Sequence, residues 1–236
     1  MILNLISGPR NISTALMYSF AQRSDTVVWD EPFYAVYLSR TGAAHPGTED
    51  VLRSLPRDEM NVREQLAAAR AQPVLFLKNM AHHLEVLDNP SIEGAINIFL
   101  IRDPAQILAS YAQVIARPGM RDIGIAYQHT LFHALKKEGR EPLVIDSGIL
   151  LRDPEAVLAK VCAHCGLAYE QRMAHWPAGP KAYDGVWAPY WYANVHRSTG
   201  FERQPTSSRQ LPAHLAGLCR EARRFYENLL PFAVNP

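Results

Sequence analysis

Short apolar runs alternate along the chain with segments in which apolar residues recur at helical spacing. Five runs have the length and the polar or proline flanks of buried strands: ILNLIS (2–7), DTVVWD (25–30), PVLFLK (73–78), AINIFLI (95–101) and EPLVID (141–146). Helical patterns lie between them, in STALMYSFAQR, in residues 62–71, in PAQILASYAQVIA and in YQHTLFHALKKEG, whose predicted end is Gly139. This alternation predicts an α/β fold of three layers, with a central, mostly parallel five-stranded sheet and helices on both faces.

The pattern predicts one domain over residues 1–236, because no repeat, low-complexity tract or linker divides the chain. Residues 171–212 are irregular and rich in tryptophan and proline. A connection of this length is uncommon in a compact domain unless it has a function. We interpret it as a long ordered loop or lid.

Composition adds little to this interpretation. Of 236 residues, 48% are hydrophobic and 20% are charged, as in ordinary globular proteins. The formal net charge of +1 gives no long-range attraction to nucleic acid or to an anionic membrane, so neither is an expected partner. No apolar run is long enough for a membrane span, and no leader pattern precedes the first strand, so a cytoplasmic location is the default expectation. Composition does not set an oligomeric state.

The three cysteines are too few for a disulfide framework. Cys162 and Cys165 have the spacing of a redox or half-zinc motif, but they lie in EAVLAKVCAHCGL, a helical pattern before a glycine. Core packing is the favoured interpretation, since no second pair completes a zinc site.

The segment ISGPRNISTAL follows the first strand and has the position of a phosphate-binding loop. Gly8 and Pro9 turn the chain, Arg10 supplies a permanent charge, and Ser13 and Thr14 stand at a helix start. Backbone N–H groups, hydroxyls and the positive helix end together hold phosphate well, so the fold is predicted to be P-loop-like. The triphosphatase pattern has a lysine where Ser13 stands, so Ser13 and Thr14 as simple helix caps are an open alternative.

A second feature lies at the end of the fourth strand. Arg102 ends the apolar run AINIFLI, and Ser110 follows on the helix that begins near Pro104. Taken alone, Arg102 could simply pair with Asp103, which is a natural helix cap.

Together the two features resemble the sulfotransferase family, whose members use 3'-phosphoadenosine 5'-phosphosulfate (PAPS). The family's first loop reads Pro-Arg/Lys-Ser-Gly-Thr-Thr and binds the 5'-phosphosulfate, and the segment Pro9 to Thr14 is similar, with Ile12 in place of the glycine. An arginine after a later strand and a serine on the next helix bind the 3'-phosphate in the family, as the resemblance implies for Arg102 and Ser110. It therefore implies a PAPS site of Gly8, Pro9, Arg10, Asn11, Ser13, Thr14, Arg102 and Ser110.

Weaker similarities extend over most of the chain. LLRDPEAVLAKVCAHCGLAYE resembles the family's Asp-Pro helix that ends in a Gly-Leu turn, and NVHRSTGFERQ resembles its late basic loop over the 3'-phosphate. The resemblance thus adds His196, Arg197 and Gly200 to the PAPS site, although this loop has one arginine in place of an Arg-Lys pair. A closer similarity is to bacterial sulfotransferase-like proteins with a GPRNxST loop.

Candidate catalytic residues follow the second and third strands. The resemblance suggests Glu31 as the base, Lys78 as the cation beside the leaving phosphate, and His82 as the alternative base. Their plainer interpretations are a helix-start carboxylate before Pro32 and a solvated lysine at a strand end. The ends of both strands are expected to flank the first strand.

The predicted reaction moves a sulfuryl group from PAPS to a hydroxyl or amine of a small-molecule acceptor. No metal is required, since a sulfonate carries less charge than a terminal phosphate. The aromatic segment WAPYWYANVHR suggests an apolar or aromatic hydroxylated acceptor. Two other classes stay open: a small-molecule kinase with Asp30 near magnesium, and a non-catalytic nucleotide or RNA binder that stacks bases on the aromatic segment.

Overall fold

A computed structural model describes residues 1–69, 71–115, 117–202 and 209–236. Residues 203–208, which belong to the predicted lid and end the segment NVHRSTGFERQ, lie outside the described residues.

The centre of the molecule is a five-stranded sheet in which every neighbouring pair of strands is parallel. The strands are β1 (Ile2–Ser7), β2 (Thr26–Asp30), β3 (Val74–Met80), β4 (Ala95–Ile101) and β5 (Leu143–Asp146). Their spatial order is β2-β3-β1-β4-β5. The predicted α/β fold with a five-stranded parallel sheet is confirmed.

Helices connect the strands. Those with two or more turns are α1 (Ser13–Phe20), α2 (Tyr34–Thr41), α3 (Thr48–Ser54), α4 (Glu59–Ala69), α6 (Pro104–Tyr111), α8 (Ile125–Lys137), α9 (Ser147–Arg152), α10 (Pro154–His164) and α12 (Ala216–Leu229). Single turns form α5 (Ala81–Leu84), α7 (Met120–Ile123) and α11 (Ala188–Trp191). Short 3-10 turns cover Gln171–Ala174, Val195–Arg197, Ala213–Leu215 and Leu230–Phe232.

Several of these helices are absent from the sequence-based assignment, among them α2, α3 and α12. The apolar positions of α2 run consecutively and are nearly all buried, so they lack helical spacing. α3 buries only Val51. Neither α2 nor α3 shows the apolar stripe from which other helices were predicted. α12 does have such a stripe, with Cys219, Ala222, Tyr226 and Leu229 at helical spacing against the core, and the sequence-based assignment missed it.

The position of β1 at the centre decides which strand ends meet. Its carboxyl end lies between those of β3 and β4, and β2 lies beyond β3. The expectation that the ends of β2 and β3 both flank β1 is therefore right for β3 and wrong for β2. Side chains that follow β2 reach the centre only across the end of β3.

Much of the segment 171–212 is packed into the molecule. Trp176 is 3% exposed and belongs to the main core, while Trp187 and Tyr192 belong to a second apolar cluster with α2 and α3. The segment thus supplies buried side chains to one wall of the molecule. Its role as a lid stays a prediction.

Cys162 and Cys165 are both buried at the end of α10, and Cys162 Sγ lies 3.8 Å from Met173 Sδ in the core. Neither cysteine forms a disulfide. No helix in the described part of the chain is both long enough and apolar enough to cross a membrane.

Candidate functional site

A cavity of about 470 Å³ lies at the carboxyl ends of the central strands. This is where ligands bind in open parallel sheets. Most predicted site residues line it: Pro9, Arg10, Asn11, Ser13, Thr14, Glu31, Lys78, His82, Arg102, Ser110 and Gly200.

The loop after β1 is held in one tight shape. A Cβ on Gly8 would lie 2.3 Å from the carbonyl oxygen of Ile123, so only glycine fits there. Arg10 and Ile12 have positive φ angles of 57° and 46°. The amide of Asn11 donates to the Leu100 carbonyl oxygen over 2.6 Å, which ties the loop to β4.

Ser13 and Thr14 lie in the first turn of α1, where both are buried. The residue that caps this helix is Ile12, and no side chain hydrogen-bonds the cap. The capping interpretation of the two hydroxyls is therefore wrong. The first N–H groups of α1 and these hydroxyls lie at the end of the helix that borders the cavity. This N-terminal end is the electropositive end of the helix.

Two arginines contact Ser110, and a third, Arg102, contacts the first of them. Arg10 Nε donates to Ser110 Oγ over 3.0 Å, and Arg209 Nη1 lies 3.5 Å from the same oxygen. Arg102 Nη1 donates to the Arg10 carbonyl oxygen over 2.7 Å. Burial lowers the pKa of Arg10 and Arg102, and the charge of a neighbouring arginine lowers each further. Guanidinium groups that repel one another in this way form a binding site for an anion.

Asp103 does not neutralise this cluster by pairing with Arg102. Its carboxylate accepts from the N–H of Ala105 and from Arg223. The Arg102 side chain instead contacts Arg10 and Gln106. The Asp103–Arg102 pairing considered from the sequence is not formed.

Lys78 is the centre of a buried polar network. Its ammonium donates to Asp30 over 2.7 Å, to Glu31, and to the Tyr192 hydroxyl over 2.7 Å. These three bonds use every donor of the ammonium group. At 1% exposure it is not a solvated strand-end lysine. Burial acts to lower its pKa, but the two carboxylates outweigh burial and raise it.

Glu31 lies directly after β2 with a positive φ of 46°. Its N–H donates to the Lys78 carbonyl oxygen over 2.8 Å, which fixes this backbone turn across the end of β3. Burial, with Asp30 acting in the same direction, raises the pKa of Glu31 to about 7 against the pull of Lys78. A carboxylate with this pKa can gain or lose a proton near neutral pH. The helix-start interpretation is wrong, since the side chain turns to Lys78 and α2 has no side-chain cap.

His82 and His83 are both buried on α5. Burial lowers the pKa of His82 to about 3 and that of His83 well below its usual range, so both rings are neutral. His83 Nδ1 is 3.7 Å from Glu31 Oε2, and the His83 ring stacks on Tyr34. Of the two histidines, His83 rather than the predicted His82 lies close to the candidate base.

Gly8, His196 and Arg197 do not line the cavity. Gly8 shapes the loop through its close approach to the Ile123 backbone. His196 Nε2 lies 3.0 Å from Asp184, and the exposed Arg197 donates to Asn194. Of the late-loop residues carried over by resemblance, only Gly200 borders the cavity, where it pairs with His175 in an isolated bridge.

Several cavity residues were not singled out from the sequence: Tyr34, His45, Tyr111, Tyr192 and Arg209. The pair His82-His83 and the aromatic run that contains Tyr192 were visible, but their direction depends on how the chain folds back. Arg209 follows the residues that the structure does not describe, and no pattern marks it.

Comparison with known proteins identifies relatives that align with most of the chain. A family model for the Sulfotransferase domain matches residues 1–230. Two proteins of Arabidopsis thaliana named branched-chain-amino-acid aminotransferase-like protein 1 and 2 are 36% and 35% identical over 213 and 202 residues. These alignments cover 89% and 85% of this chain, which spans only 38% and 36% of those relatives.

Solved structures show the same fold at low sequence identity. The sulfotransferase domain of the Synechococcus PCC 7002 olefin synthase has a TM-score of 0.65 at 15% identity, over 96% of this chain and 94% of that one. The sulfotransferase domain of the curacin biosynthetic pathway has a TM-score of 0.58 at 14% identity, over 100% and 98%. A sulfotransferase from Alicyclobacillus acidocaldarius has a TM-score of 0.54 at 15% identity, over 99% and 97%.

Proposed function

This chain belongs to the sulfotransferase domain family, and we propose that it transfers a sulfuryl group from PAPS to a hydroxyl or amine of a small-molecule acceptor. The observation that carries the proposal is the arginine cluster beside the loop after β1, in which Arg10 and Arg209 contact Ser110 and Arg102 contacts Arg10. The ends of the neighbouring strands β1 and β4 each border one anion site. This pair of sites suits a nucleotide that carries phosphate groups at both the 3' and the 5' position of its ribose.

The 3'-phosphate lies, in this proposal, at Ser110 beside Arg10 and Arg209, with Arg102 next to Arg10. The Ser110 hydroxyl already accepts from Arg10, and a phosphate has the oxygens to accept from several guanidinium groups at once. Binding of the dianion relieves the repulsion that lowers the pKa values of Arg10 and Arg102. The 5'-phosphosulfate then lies at the start of α1, within reach of Ser13, Thr14 and the backbone N–H groups.

Catalysis of sulfuryl transfer depends on in-line positioning and on stabilisation of charge that spreads over oxygen atoms. Lys78 is the cation for the leaving phosphate, and it reaches that oxygen by exchanging one of its three present partners. Glu31 takes the proton from the acceptor, because its raised pKa lets it ionise and accept a proton near neutral pH. The reaction requires no metal, since the arginines and Lys78 supply the positive charge.

A kinase is the less favoured function. The loop has Ser13 where a triphosphatase has lysine. The Asp30 carboxylate accepts from Lys78, from Tyr192 and from the N–H of Gly185, so both of its oxygens already have partners. A magnesium site at Asp30 would have to break this buried network.

A purely binding role and an aminotransferase role have less support. Trp187 and Tyr192 are buried in a core cluster and are not free to stack on bases. The aminotransferase in the names of the two plant relatives belongs to proteins of which this chain spans 38% and 36%. We therefore propose sulfuryl transfer for the part that they share with this chain.

The donor is tested by thermal unfolding with nucleotides. A ligand that binds only the folded protein stabilises it by about 2.7 kcal/mol at a hundredfold excess over its Kd. Adenosine 3',5'-bisphosphate should raise the Tm more than ADP, or ATP with magnesium, at equal concentration. Arg102→Ala should weaken its binding by about tenfold or more, since a charge-assisted contact is lost.

The matched control for Arg102→Ala is Arg53→Ala, which removes an exposed arginine of α3 that pairs with Asp50. This control should leave the nucleotide shift unchanged. An equal or larger Tm shift with ATP and magnesium would count decisively against PAPS as donor.

A further inference from the structure

The cavity has a second side, away from the arginines. We call it the histidine side and define it by Glu31, Tyr34, His45, His82 and His83, all of which line the cavity. The Tyr34 hydroxyl lies 2.8 Å from His45 Nδ1, and the Tyr34 and His83 rings stack with centroids 4.5 Å apart. Under the proposed function this is the acceptor's side, because the candidate base borders it.

Among the described residues, the histidine side offers no positive charge that is available to pair with an anion. Two carboxylates, Asp30 and Glu31, face one ammonium, and all three donors of Lys78 are already used. The other cations that line the cavity in the described ranges are Arg10, Arg102 and Arg209, and these gather at Ser110. An acidic acceptor on the histidine side would therefore meet Glu31 with no uncommitted charge partner.

Two buried nitrogens on this side have no hydrogen-bond partner in the structure. They are the Nδ1 atoms of His82 and His83, whose side chains are 4% and 1% exposed. His83 Nδ1 and Glu31 Oε2 are 3.7 Å apart, which is too far for a direct hydrogen bond. A single donor group placed between His83 Nδ1 and Glu31 Oε2 can reach both atoms. A buried polar atom normally has such a hydrogen-bond partner.

Aromatic faces complete the environment. Tyr34 stacks on His83 on one side and meets Trp187 edge to face on the other, with ring centroids 5.2 Å apart. Both rings line the cavity. Because these rings pack on one another, they act here by excluding water, which strengthens the attraction between a cation and the Glu31 carboxylate.

We propose that the histidine side selects an acceptor that carries a positively charged amine and rejects acceptors with a carboxylate or phosphate. The ammonium donates to Glu31 Oε2 and to the neutral His83 Nδ1, with the Tyr34 and Trp187 rings beside it. Recognition and proton transfer then share one carboxylate, which suits a small amine or amino alcohol. This inference rests on the proposed function for the identity of the bound molecule as an acceptor.

The experiment uses ligand sets that share one skeleton and differ in charge. One set is 2-phenylethylamine, 2-phenylethanol and phenylacetate, and the other is ethanolamine, ethylene glycol and glycolate. Affinities are measured by titration calorimetry or ligand-observed NMR, with and without saturating adenosine 3',5'-bisphosphate. In at least one set the amine should bind about tenfold tighter than the alcohol, and the acid should bind most weakly.

Two variants locate the preference. Glu31→Gln should remove most of it, whereas Glu64→Gln, which changes an exposed carboxylate on α4, should retain it. If Glu31→Gln does not fold, His83→Phe keeps a ring against Tyr34 and removes the nitrogen, so it should reduce the preference.

The inference is overturned if alcohols or acids bind as tightly as the amines, if no amine binds, or if the preference survives both Glu31→Gln and His83→Phe. Binding of adenosine 3',5'-bisphosphate is read from the same samples. If adenosine 3',5'-bisphosphate does not bind but the amine preference is observed, the proposed donor is wrong and the charge selectivity is still supported.

Discussion

At the scale of single residues, Glu31 shows how backbone and side chain act together. Its left-handed φ of 46° is an uncommon conformation for a residue other than glycine, and it persists because the N–H is fixed on the Lys78 carbonyl. That turn directs the carboxylate back over β3, where burial raises its pKa. The position of β2 outside β3 would otherwise keep Glu31 away from the centre of the sheet.

Glu31→Gln should lower the release of adenosine 3',5'-bisphosphate from PAPS by about a hundredfold or more, because glutamine cannot take a proton. The wild-type rate should rise as the pH passes through about 7 and level off above it, since Glu31 must be ionised to act as base. His82→Ala is the paired control, because a ring whose pKa lies near 3 is a poor base at this pH. The opposite ranking of the two variants would move the base to α5.

The same carboxyl links stability to pH. Its folded pKa of about 7 lies above the value of about 4.3 expected in the unfolded chain. Between these values the folded protein holds a proton that the unfolded chain has lost. The free energy of unfolding that Glu31 contributes is therefore present at low pH and is lost as the pH rises through 7. The free energies of unfolding of the wild type and of Glu31→Gln, measured with denaturant at several pH values, should therefore converge or cross in this pH window.

At the scale of elements, the loop after β1 holds Ile12 in a backbone conformation that favours glycine. Ile12 occupies the glycine position in the left-handed region, where a β-branched residue is strained. The conformation is held by the Asn11 bond to β4 and by the close approach of Gly8 to Ile123. The loop therefore has the geometry of a glycine-containing loop at the cost of local strain.

This strain reverses the usual order of two substitutions. Ile12→Gly should give a more stable protein than Ile12→Ala by about 1 kcal/mol, since glycine adopts positive φ without penalty. At Ala67, an exposed interior position of α4, Ala67→Gly should instead cost about 1 kcal/mol. Urea unfolding of the three variants measures both differences, and a more stable Ile12→Ala would show that the loop relaxes.

The elements that the sequence predicts well are those in which pattern and packing agree. The bounds of β1 and β4 follow directly from apolar runs buried on both faces, and the place of the cavity follows from the loop after β1, which lines it. The network around Lys78 could not be predicted, because Tyr192 joins it from a segment far along the chain that has no regular period. His83 and Arg209 were not predicted as site residues for the same reason, because tertiary folding decides which residues surround them.

At the scale of the whole molecule, the segment 171–212 has two parts with different attachments. Trp187 and Tyr192 are fixed to the core and to Lys78. The stretch around Gly200 borders the cavity and is joined to the rest mainly by the bridge to His175 and the Trp176 N–H bond to Thr199. A lid would therefore consist of the second part, with the first as its anchor.

Amide exchange should separate these parts. Residues 187–192 should be protected without ligand, whereas residues 198–202 should gain protection when adenosine 3',5'-bisphosphate is added, because new contacts form there. Adenosine 5'-phosphate, which lacks the 3'-phosphate, should have much less effect. Equal protection of both stretches in the free protein would mean that no lid exists, and an equal effect of both nucleotides would separate the segment from the 3'-phosphate.

The central place of β1 in the sheet also has a consequence for synthesis on the ribosome. β1 leaves the exit tunnel before either of its partners, and α1, β2 and α2 to α4 are all translated before β3 follows. Its six buried residues cannot form their ladder until β3 and β4 have emerged, so an apolar strand with two open edges waits through much of translation. The strand that positions the loop at the cavity is thus made before both of its neighbours in the sheet, which makes the nascent chain a suitable client for chaperones that shield apolar segments.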